Sequence, residues 1–307
     1  MKRENKMHAI AIHQFGGRDE LKWMELPVPV AGPGEVLIQI KAAGVNPVDW
    51  KIREGLLRFR LPHQFPIIPG WDAAGTIVGT GEAVYAYCRK PIVKDGTYAE
   101  YVAVPRTSVA PKPKNLSFIE AASVPLAALT AYQSLFDAAG VKRGQTVLIH
   151  AAGGGVGGFA VQLAKLAGAR VIATASKGKH DYVKRLGADE VMDYRAVDFW
   201  RVVRDVDVAF DTVGGETQRR SAEVVRRGGV LVSILALEDA EAIRKRGVEP
   251  KYVFVRPNAA QLRRLTKWLE AGKLRTTIAK VFPLRDAAKA HALIERGHIT
   301  GKIVLEV

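Results

Sequence analysis

HAAGGGVGGFAVQLAK, His150 to Lys165, places five glycines among positions 153–158 and runs straight into an apolar helical pattern. The residues before it, TVLI (146–149), read as a short buried strand. Those after it, FAVQLAKLAG, carry apolar residues at helical spacing and stop at Gly168, a C-terminal cap signal. Strand, glycine loop and helix in that order let backbone N–H groups at a helix N-terminus cradle a phosphate. Glycine permits close approach of the backbone, and the helix dipole favours the negative charge. The loop allows two registers of the G-x-G-x-x-G spacing. Gly153, Gly155 and Gly158 match it literally; Ala152, Gly154 and Gly157 match it with alanine first and place the turn better against the strand end. No Gly-Lys-Ser/Thr follows, which excludes a P-loop.

On either side of this loop the chain has two rhythms. From Leu116 onward, helical stretches alternate with continuously apolar strands: TVLIHA, RVIATAS, the helix HDYVKRLG, EVMDY, VDVAFDTV, the helix ETQRRSAEVVRR, GVLVSIL and KYVFV. That alternation predicts an α/β, doubly wound parallel sheet covered on both faces. The first 120 or so residues are instead β-rich, with short segments such as EVLIQIKAAGV and AAGTIVGTG broken by loops including PVPVAGPGE and PHQFPIIPG. They predict a folded-over barrel or sandwich. The tail, with TIAKVFPL and KIVLEV, returns to short strands and is expected to rejoin the first domain. The expected domains are 1–123 with 265–307 (β-rich) and 124–264 (dinucleotide-binding).

The composition is that of an ordinary globular protein, with 48% apolar and 25% charged residues over 307 positions. No apolar run is long enough to span a bilayer, and the N-terminus lacks a signal-peptide apolar region, so the expectation is a soluble cytoplasmic protein without membrane partners. A single cysteine, Cys88, excludes an internal disulfide framework. The formal net charge of +15 is scattered over separate helices and turns (RRSAEVVRR, IRKRG, QLRRLTKWLEAGKLR) with no zinc-finger or RNA-binding signature. Nucleic acid is therefore not the expected partner.

The end of the second strand discriminates between dinucleotides. NAD-binding sheets carry an acidic side chain about 20 residues past the glycines, which takes the ribose hydroxyls. Here RVIATASKGKHD offers Ser176, Lys177 and Lys179. A carboxylate is missing where it would repel a 2′-phosphate, and ammonium groups stand ready to attract one, which favours NADPH.

Several segments, taken in order, resemble the medium-chain dehydrogenase/reductase superfamily, and within it the zinc-independent NADPH:quinone oxidoreductase and enone reductase branch. They are AGVNPVDWK, PGWDAAGTI, GTYAEYVAVP, PLAALTAYQSL, the glycine loop with VQLAKLAGARVIATAS, LGADEVMDY, VAFDTVGG and HITGKIVLEV, so the resemblance runs from about Met7 to Val307. The first six residues, MKRENK, read as an extension. The resemblance implies a GroES-like β-rich domain, a Rossmann domain and a homodimer paired through the Rossmann sheet edge. Zinc-dependent relatives carry a cysteine where this chain has Asn46, and Gly-His-Glu where it has Gly70-Trp71-Asp72. They also carry a four-cysteine lobe where it has VYAYCRKPIVKDGTY. No metal is expected.

Without a Lewis acid the natural chemistry is hydride reduction of a quinone or an α,β-unsaturated carbonyl, whose developing oxyanion needs only hydrogen-bond donors. The alternatives are a ketone/alcohol oxidoreductase using the same cofactor, and an NADPH-binding protein with an RNA-interaction role. The expected catalytic residues are Asn46 and Lys51. The resemblance places Asn46 beside the nicotinamide, where its amide holds the cofactor or polarises a carbonyl; an Asn-Pro turn is the plainer alternative. Lys51 matches a lysine near the nicotinamide ribose and substrate, and Asp49 either orients it or caps a helical turn. The expected cofactor contacts are Asn46, Thr130 at the start of a helix, Gly153, Gly154, Gly155, Val156 and Gly157. Ser176, Lys179 and Tyr194 join them toward the 2′-phosphate, with Val213 at a strand end and Lys302 from the returning tail. Trp50, Trp71, Tyr85 and Tyr87 read as core or as an apolar pocket, and His150 as a packed histidine.

Overall fold

The structure, a computed structural model, describes residues 5–307; residues 1–4, most of the expected extension, lie outside the described residues. The backbone divides into two units. The first comprises the chain up to Leu126, Arg256–Gly272 and Thr276–Val307; the second comprises Ala127–Val255 and Lys273–Arg275.

The first unit contains β1 (Lys6–Ala11), β2 (Lys22–Pro27), β3 (Glu35–Val45), β4 (His63–Ile68), β5 (Asp72–Ile77), β6 (Ala83–Tyr87), β7 (Val93–Asp95), β8 (Tyr101–Pro105) and β9 (Val109–Pro111). The second contains β10 (Thr146–Ile149), β11 (Arg170–Ala175), β12 (Glu190–Asp193), β13 (Val206–Asp211), β14 (Val225–Ser233) and β15 (Glu249–Tyr252). The tail adds β16 (Ile278–Pro283) and β17 (Lys302–Glu306) to the first unit.

Among the described residues the main sheet of the first unit runs β16-β17-β3-β5-β6-β9, with β8 also on β3. β17 lies antiparallel to β3 with Ile303 opposite Val45, so the C-terminal strand is part of this sheet. Inward-facing Ile38, Ile40, Val84, Ala86, Val102 and Val104 are buried in one cluster, which is what the alternation in EVLIQI and AVYAY demands. Burial of such aliphatic side chains stabilises by roughly 1.5–3 kcal/mol each for the larger ones. The helix Ala259–Glu270 packs on this unit: Tyr85 Oη donates to the Leu262 carbonyl at 2.8 Å and Thr266 Oγ1 to the Pro111 carbonyl at 3.2 Å. The first unit therefore resumes at Arg256, nine residues before the position read from the sequence.

Four local readings differ from the structure. PHQFPIIPG, read as a loop, contains β4. Ile67 exchanges both backbone hydrogen bonds with Ile12 at 2.9 Å, and Pro66 is tolerated in a short two-stranded pairing with β7. The helix ETQRRSAEVVRR stops at Val224 and Val225 opens β14, because Val225 pairs with Val206. The tail includes a helix, Ala287–Glu295, that the sequence reading passed over, held by buried Ala287, Ala290 and His291. Thr130 sits near the end, not the start, of the helix Pro125–Tyr132.

In the second unit the parallel sheet runs β12-β11-β10-β13-β14-β15 among the described residues. This is the doubly wound order of a Rossmann sheet. Its switch point lies where the chain leaves β10 for one side and returns at β13 on the other, and ligands bind outside the carboxyl ends there. Part of the basic charge is paired locally: Arg219 with Glu238, Arg220 with Glu223, Arg226 with Asp207 and Lys245 with Glu241. No helix among the described residues is long and apolar enough to cross a membrane.

Gly75 marks the tightest crossing in the first unit. A Cβ there would overlap the Gln39 carbonyl oxygen and stand 3.0 Å from Ile40 Cα. Gly75→Ala is expected to lower unfolding stability by about 1–3 kcal/mol, the usual cost of overpacking. Gly17→Ala, with open space around it, should leave the thermal midpoint within error. Thermal unfolding of both variants checks this.

Candidate functional site

The phosphate end is built in the second unit, at the carboxyl end of β10. Ala151 turns the chain with φ +50°, and the Ala152 N–H donates to the Thr174 carbonyl at 3.0 Å, clipping the loop to β11. Gly154 precedes the helix Gly155–Leu166 and brings no side chain to cap it. Helix geometry leaves the first N–H groups, those of Gly155, Val156 and Gly157, without intrahelical acceptors, aligned with the positive end of the dipole. A Cβ on Gly157 would overlap the Ala151 carbonyl and stand 2.7 Å from Ala152 Cα. Gly157 is thus the glycine that close loop–helix packing requires. These groups fit a pyrophosphate.

Lys179 lies beside this loop: a Cβ on Gly153 would stand 2.5 Å from Lys179 Cδ, so the lysine stem crosses the glycine face. Burial lowers its ammonium pKa. Ser176 follows β11 and precedes the turn Lys177–Lys179. Tyr194 follows β12 and is exposed, with the Arg195 guanidinium 5.6 Å from its ring centre. Val213 is held by a residue the sequence reading passed over. Buried Asp211 accepts the Val213 and Gly214 N–H groups on Oδ1, both at 2.9 Å, and Gln218 Nε2 and Ser233 Oγ on Oδ2. The only sequence signal was an acidic residue at the end of an otherwise apolar strand. Thr130, also in this unit, is buried. His150 is fixed between Thr174 Oγ1 at 3.0 Å and Ser221 Oγ at 2.9 Å, and burial lowers its pKa to about 4, so it is a packed neutral imidazole.

In the first unit four neighbouring strands bring a second set of groups into one row. Lys302 opens β17, Asn46 follows β3, Asp72 opens β5 and Tyr87 closes β6; Ile303 is opposite Val45, Gly44 opposite Asp72, and Asp72 opposite Tyr87. Gly44 must be small, since a Cβ would stand 2.9 Å from Asp72 Cβ. The Lys302 ammonium donates to Asn46 Oδ1 and, at 3.1 Å, to the Val45 carbonyl, and lies 3.7 Å from Asp72 Oδ2. Asn46 Nδ2 donates to Asp72 Oδ2 at 2.9 Å, and the Leu126 N–H to Asp72 Oδ1 at 2.7 Å. Burial pushes Asp72 up to about 6 and the Lys302 ammonium down; their mutual attraction opposes both shifts. The sequence-predicted Asn46 and Lys302 are therefore brought together, with the lysine turned inward and the asparagine amide bonded to its neighbours.

Asp49 takes the capping role. Its Oδ2 accepts the Asn46 N–H at 2.7 Å and the Tyr98 hydroxyl at 3.0 Å, while its buried Oδ1 has no partner among the described residues. Behind it the Arg53 guanidinium donates to His291 Nδ1 at 3.1 Å, which leaves Nε2–H to donate to Tyr98 Oη at 3.2 Å. Burial pushes Asp49 up to about 7 and, with the Arg53 charge, holds His291 down at about 3. Lys51 lies on the same helix, half-buried. Its ammonium stands 5.7 Å from the Trp50 ring centre, and burial alone lowers its pKa.

These residues do not fit a zinc ion. The amide of Asn46 and the carboxylate of Asp72 already surround an ammonium, and the neighbouring Trp71 offers no ligand. Cys88 is packed in the core with its thiol pushed up by burial, and no group of three His, Cys, Asp or Glu among the described residues could hold a metal.

Residues 32–114 match the family described as the alcohol dehydrogenase GroES-like domain, and residues 186–305 match the family described as zinc-binding dehydrogenase. The chain is 35% identical to a chloroplastic quinone-oxidoreductase homolog of Spinacia oleracea, over 98% of both chains. It is also 35% identical to a 2-methylene-furan-3-one reductase of Solanum lycopersicum, over 98% of this chain and 79% of that one. The solved quinone oxidoreductase of Coxiella burnetii superposes with a TM-score of 0.90 at 35% identity, covering 99% of this chain and 100% of the other.

The buried groups set opposite pH trends. Asp49 keeps its proton to higher pH folded than unfolded, so its contribution falls as pH rises from about 3.8 to about 7. His150 and His291 are held neutral, so their contribution is lost as pH falls from 6.5 toward 4 and 3. Asp49→Asn keeps an acceptor for Asn46 and Tyr98 and removes Asp49's part of the first trend, which buried Asp72 shares. Its stability relative to the unsubstituted protein is expected to rise steadily across that window, as measured by denaturant unfolding at a series of pH values.

Proposed function

The chain belongs to the medium-chain dehydrogenase/reductase superfamily, and we propose that it is an NADPH-dependent, metal-independent reductase of quinones or α,β-unsaturated carbonyls. The observation that carries this reading is the centre formed by Asn46, Asp72 and Lys302. A lysine ammonium stands inside the donor set, so no Lewis acid activates an alcohol there and the acceptor must already be electrophilic. The names of the relatives, a quinone oxidoreductase and an enone-type reductase, support the same substrate classes.

In this reading Gly153, Gly154, Gly155, Val156 and Gly157 hold the pyrophosphate, and Ser176, Lys179 and Tyr194 take the 2′-phosphate. Thr130 and Val213 serve the nicotinamide end from the second unit, and Asn46 belongs to the buried centre of the first. Lys302 acts through Asn46 by fixing its amide. When bound, NADPH would supply the hydride; with it the acceptor would gain two electrons and, in all, two hydrogens, the second as a proton. Lys51 serves the oxygen on which charge develops: it is a half-buried donor whose lowered pKa eases release of a proton. A homodimer fits the edge strand β15, which bears exposed Tyr252, with exposed Phe254 just beyond it.

Reduced-nicotinamide consumption, measured with a chelator present, tests the reading. NADPH and NADH are offered in parallel, each with a benzoquinone and a medium-chain enone. Chelator-resistant, NADPH-preferring turnover is expected, and the better acceptor chooses between the two classes. Tight NADPH binding without turnover of either acceptor would instead favour a ketone/alcohol substrate or an RNA-interaction role. Lys179→Ala is expected to raise the KM for NADPH about 10-fold, as loss of a charged phosphate contact does, and to leave that for NADH nearly unchanged.

A further inference from the structure

Tyr87 completes the row of Lys302, Asn46 and Asp72, yet nothing said so far uses it. Directly opposed residues of an antiparallel pair project to the same face of the sheet, so the Tyr87 side chain stands beside that of Asp72. Its ring packs edge-on to Trp71, with centres 6.1 Å apart. The residue is fully buried, and among the described residues its hydroxyl has no hydrogen-bond partner.

That is costly: a buried hydroxyl left unpaired forfeits about 1–3 kcal/mol. The other two tyrosines of this buried layer are satisfied, Tyr85 by Leu262 and Thr266, Tyr98 by Asp49 and His291. Asp72 accepts instead from Asn46 and Leu126, with the Lys302 ammonium 3.7 Å away, and makes no hydrogen bond to Tyr87. Burial holds Tyr87 un-ionised, and the nearby Asp72 and Asp49 charges add to this against Arg89, so the group remains an O–H donor in want of an acceptor. Asn46, by contrast, is bonded internally through its amide oxygen, to Lys302, and through its amide nitrogen, to Asp72 and the Gly44 carbonyl.

We infer that Tyr87 is the hydrogen-bond donor to the substrate's carbonyl oxygen. The assignment rests on the reductase reading above and deepens it. As hydride adds at carbon the oxygen gains negative charge, and a donor already desolvated gives up no hydration shell to meet it. The same hydroxyl prefers a conjugated ketone or quinone over an unactivated alkene, because only the former presents an acceptor.

Tyr87→Phe tests this directly. Removing a hydroxyl that has no internal partner should leave the thermal midpoint equal to or above that of the unsubstituted protein. Tyr98→Phe, which breaks two internal hydrogen bonds, should lower it. With NADPH and 4-phenyl-3-buten-2-one, Tyr87→Phe is expected to lose at least about 10-fold in kcat/KM, with the Kd for NADPH unchanged. The absorption of this enone bound to the NADP⁺ complex gives a reading independent of turnover: a red shift in the unsubstituted protein, absent in Tyr87→Phe. An activity within about 2-fold and an unaltered shift would overturn the inference. So would a midpoint several degrees lower, which would show an internal partner such as a buried water. If the unsubstituted protein binds the enone with a shift that Tyr87→Phe loses, yet reduces neither acceptor, the donor stands and the reductase reading falls. If it binds neither this enone nor a benzoquinone, both fall.

Discussion

The first unit depends on one buried ammonium. Lys302, at the first position of the C-terminal strand, places its charge among the Val45 carbonyl, the Asn46 amide and the Asp72 carboxylate. Two opposite charges taken out of water cost several kcal/mol each, and only mutual attraction and full hydrogen bonding offset that. The pair is therefore not primarily a source of stability. It sets register, because β17, β3 and β5 must align for the ammonium to be satisfied at all. The same alignment fixes the Asn46 amide and, across the next strand, the position of Tyr87.

In the second unit the organising constraint is steric. The loop after β10 must pass under the first turn of the helix Gly155–Leu166, and Gly157 is the residue that lets it. The result leaves the first helical N–H groups uncapped, with no side chain from Gly154 to satisfy them. Asp211 plays a matching part at the end of β13, where its carboxylate holds the Val213–Gly214 backbone. Both devices shape backbone at the carboxyl ends of adjacent parallel strands, the place where such sheets bind ligands.

Polar groups behind the Asn46 turn all point one way. Arg53 donates to His291, His291 to Tyr98, and Tyr98 to Asp49, which also takes the Asn46 N–H. The chain is fully buried from Arg53 to Asp49. Such networks rigidify what they touch when each member is satisfied, and here the one unsatisfied atom, Asp49 Oδ1, goes with a carboxyl that burial holds near half-protonation at neutral pH.

The alternation of apolar strands and helices after Leu116, and the glycine run before FAVQLAK, determined the parallel sheet and its phosphate-binding end from local pattern alone. Both are properties of consecutive residues: hydrophobic period and backbone freedom. The β-rich character of the first 120 residues was legible for the same reason, although β4 was hidden by its prolines and the helix Ala287–Glu295 by its alanine-rich, weakly contrasted sequence. What local pattern did not contain was the grouping of Lys302 with Asn46, Asp72 and Tyr87. The resemblance offers Lys302 only as a cofactor contact from the tail, and Tyr87 reads as core or as an apolar pocket. Only strand order and register, set by long-range backbone pairing, bring the four into one row. That same packing decides which of their polar atoms are satisfied and which is left waiting for a partner.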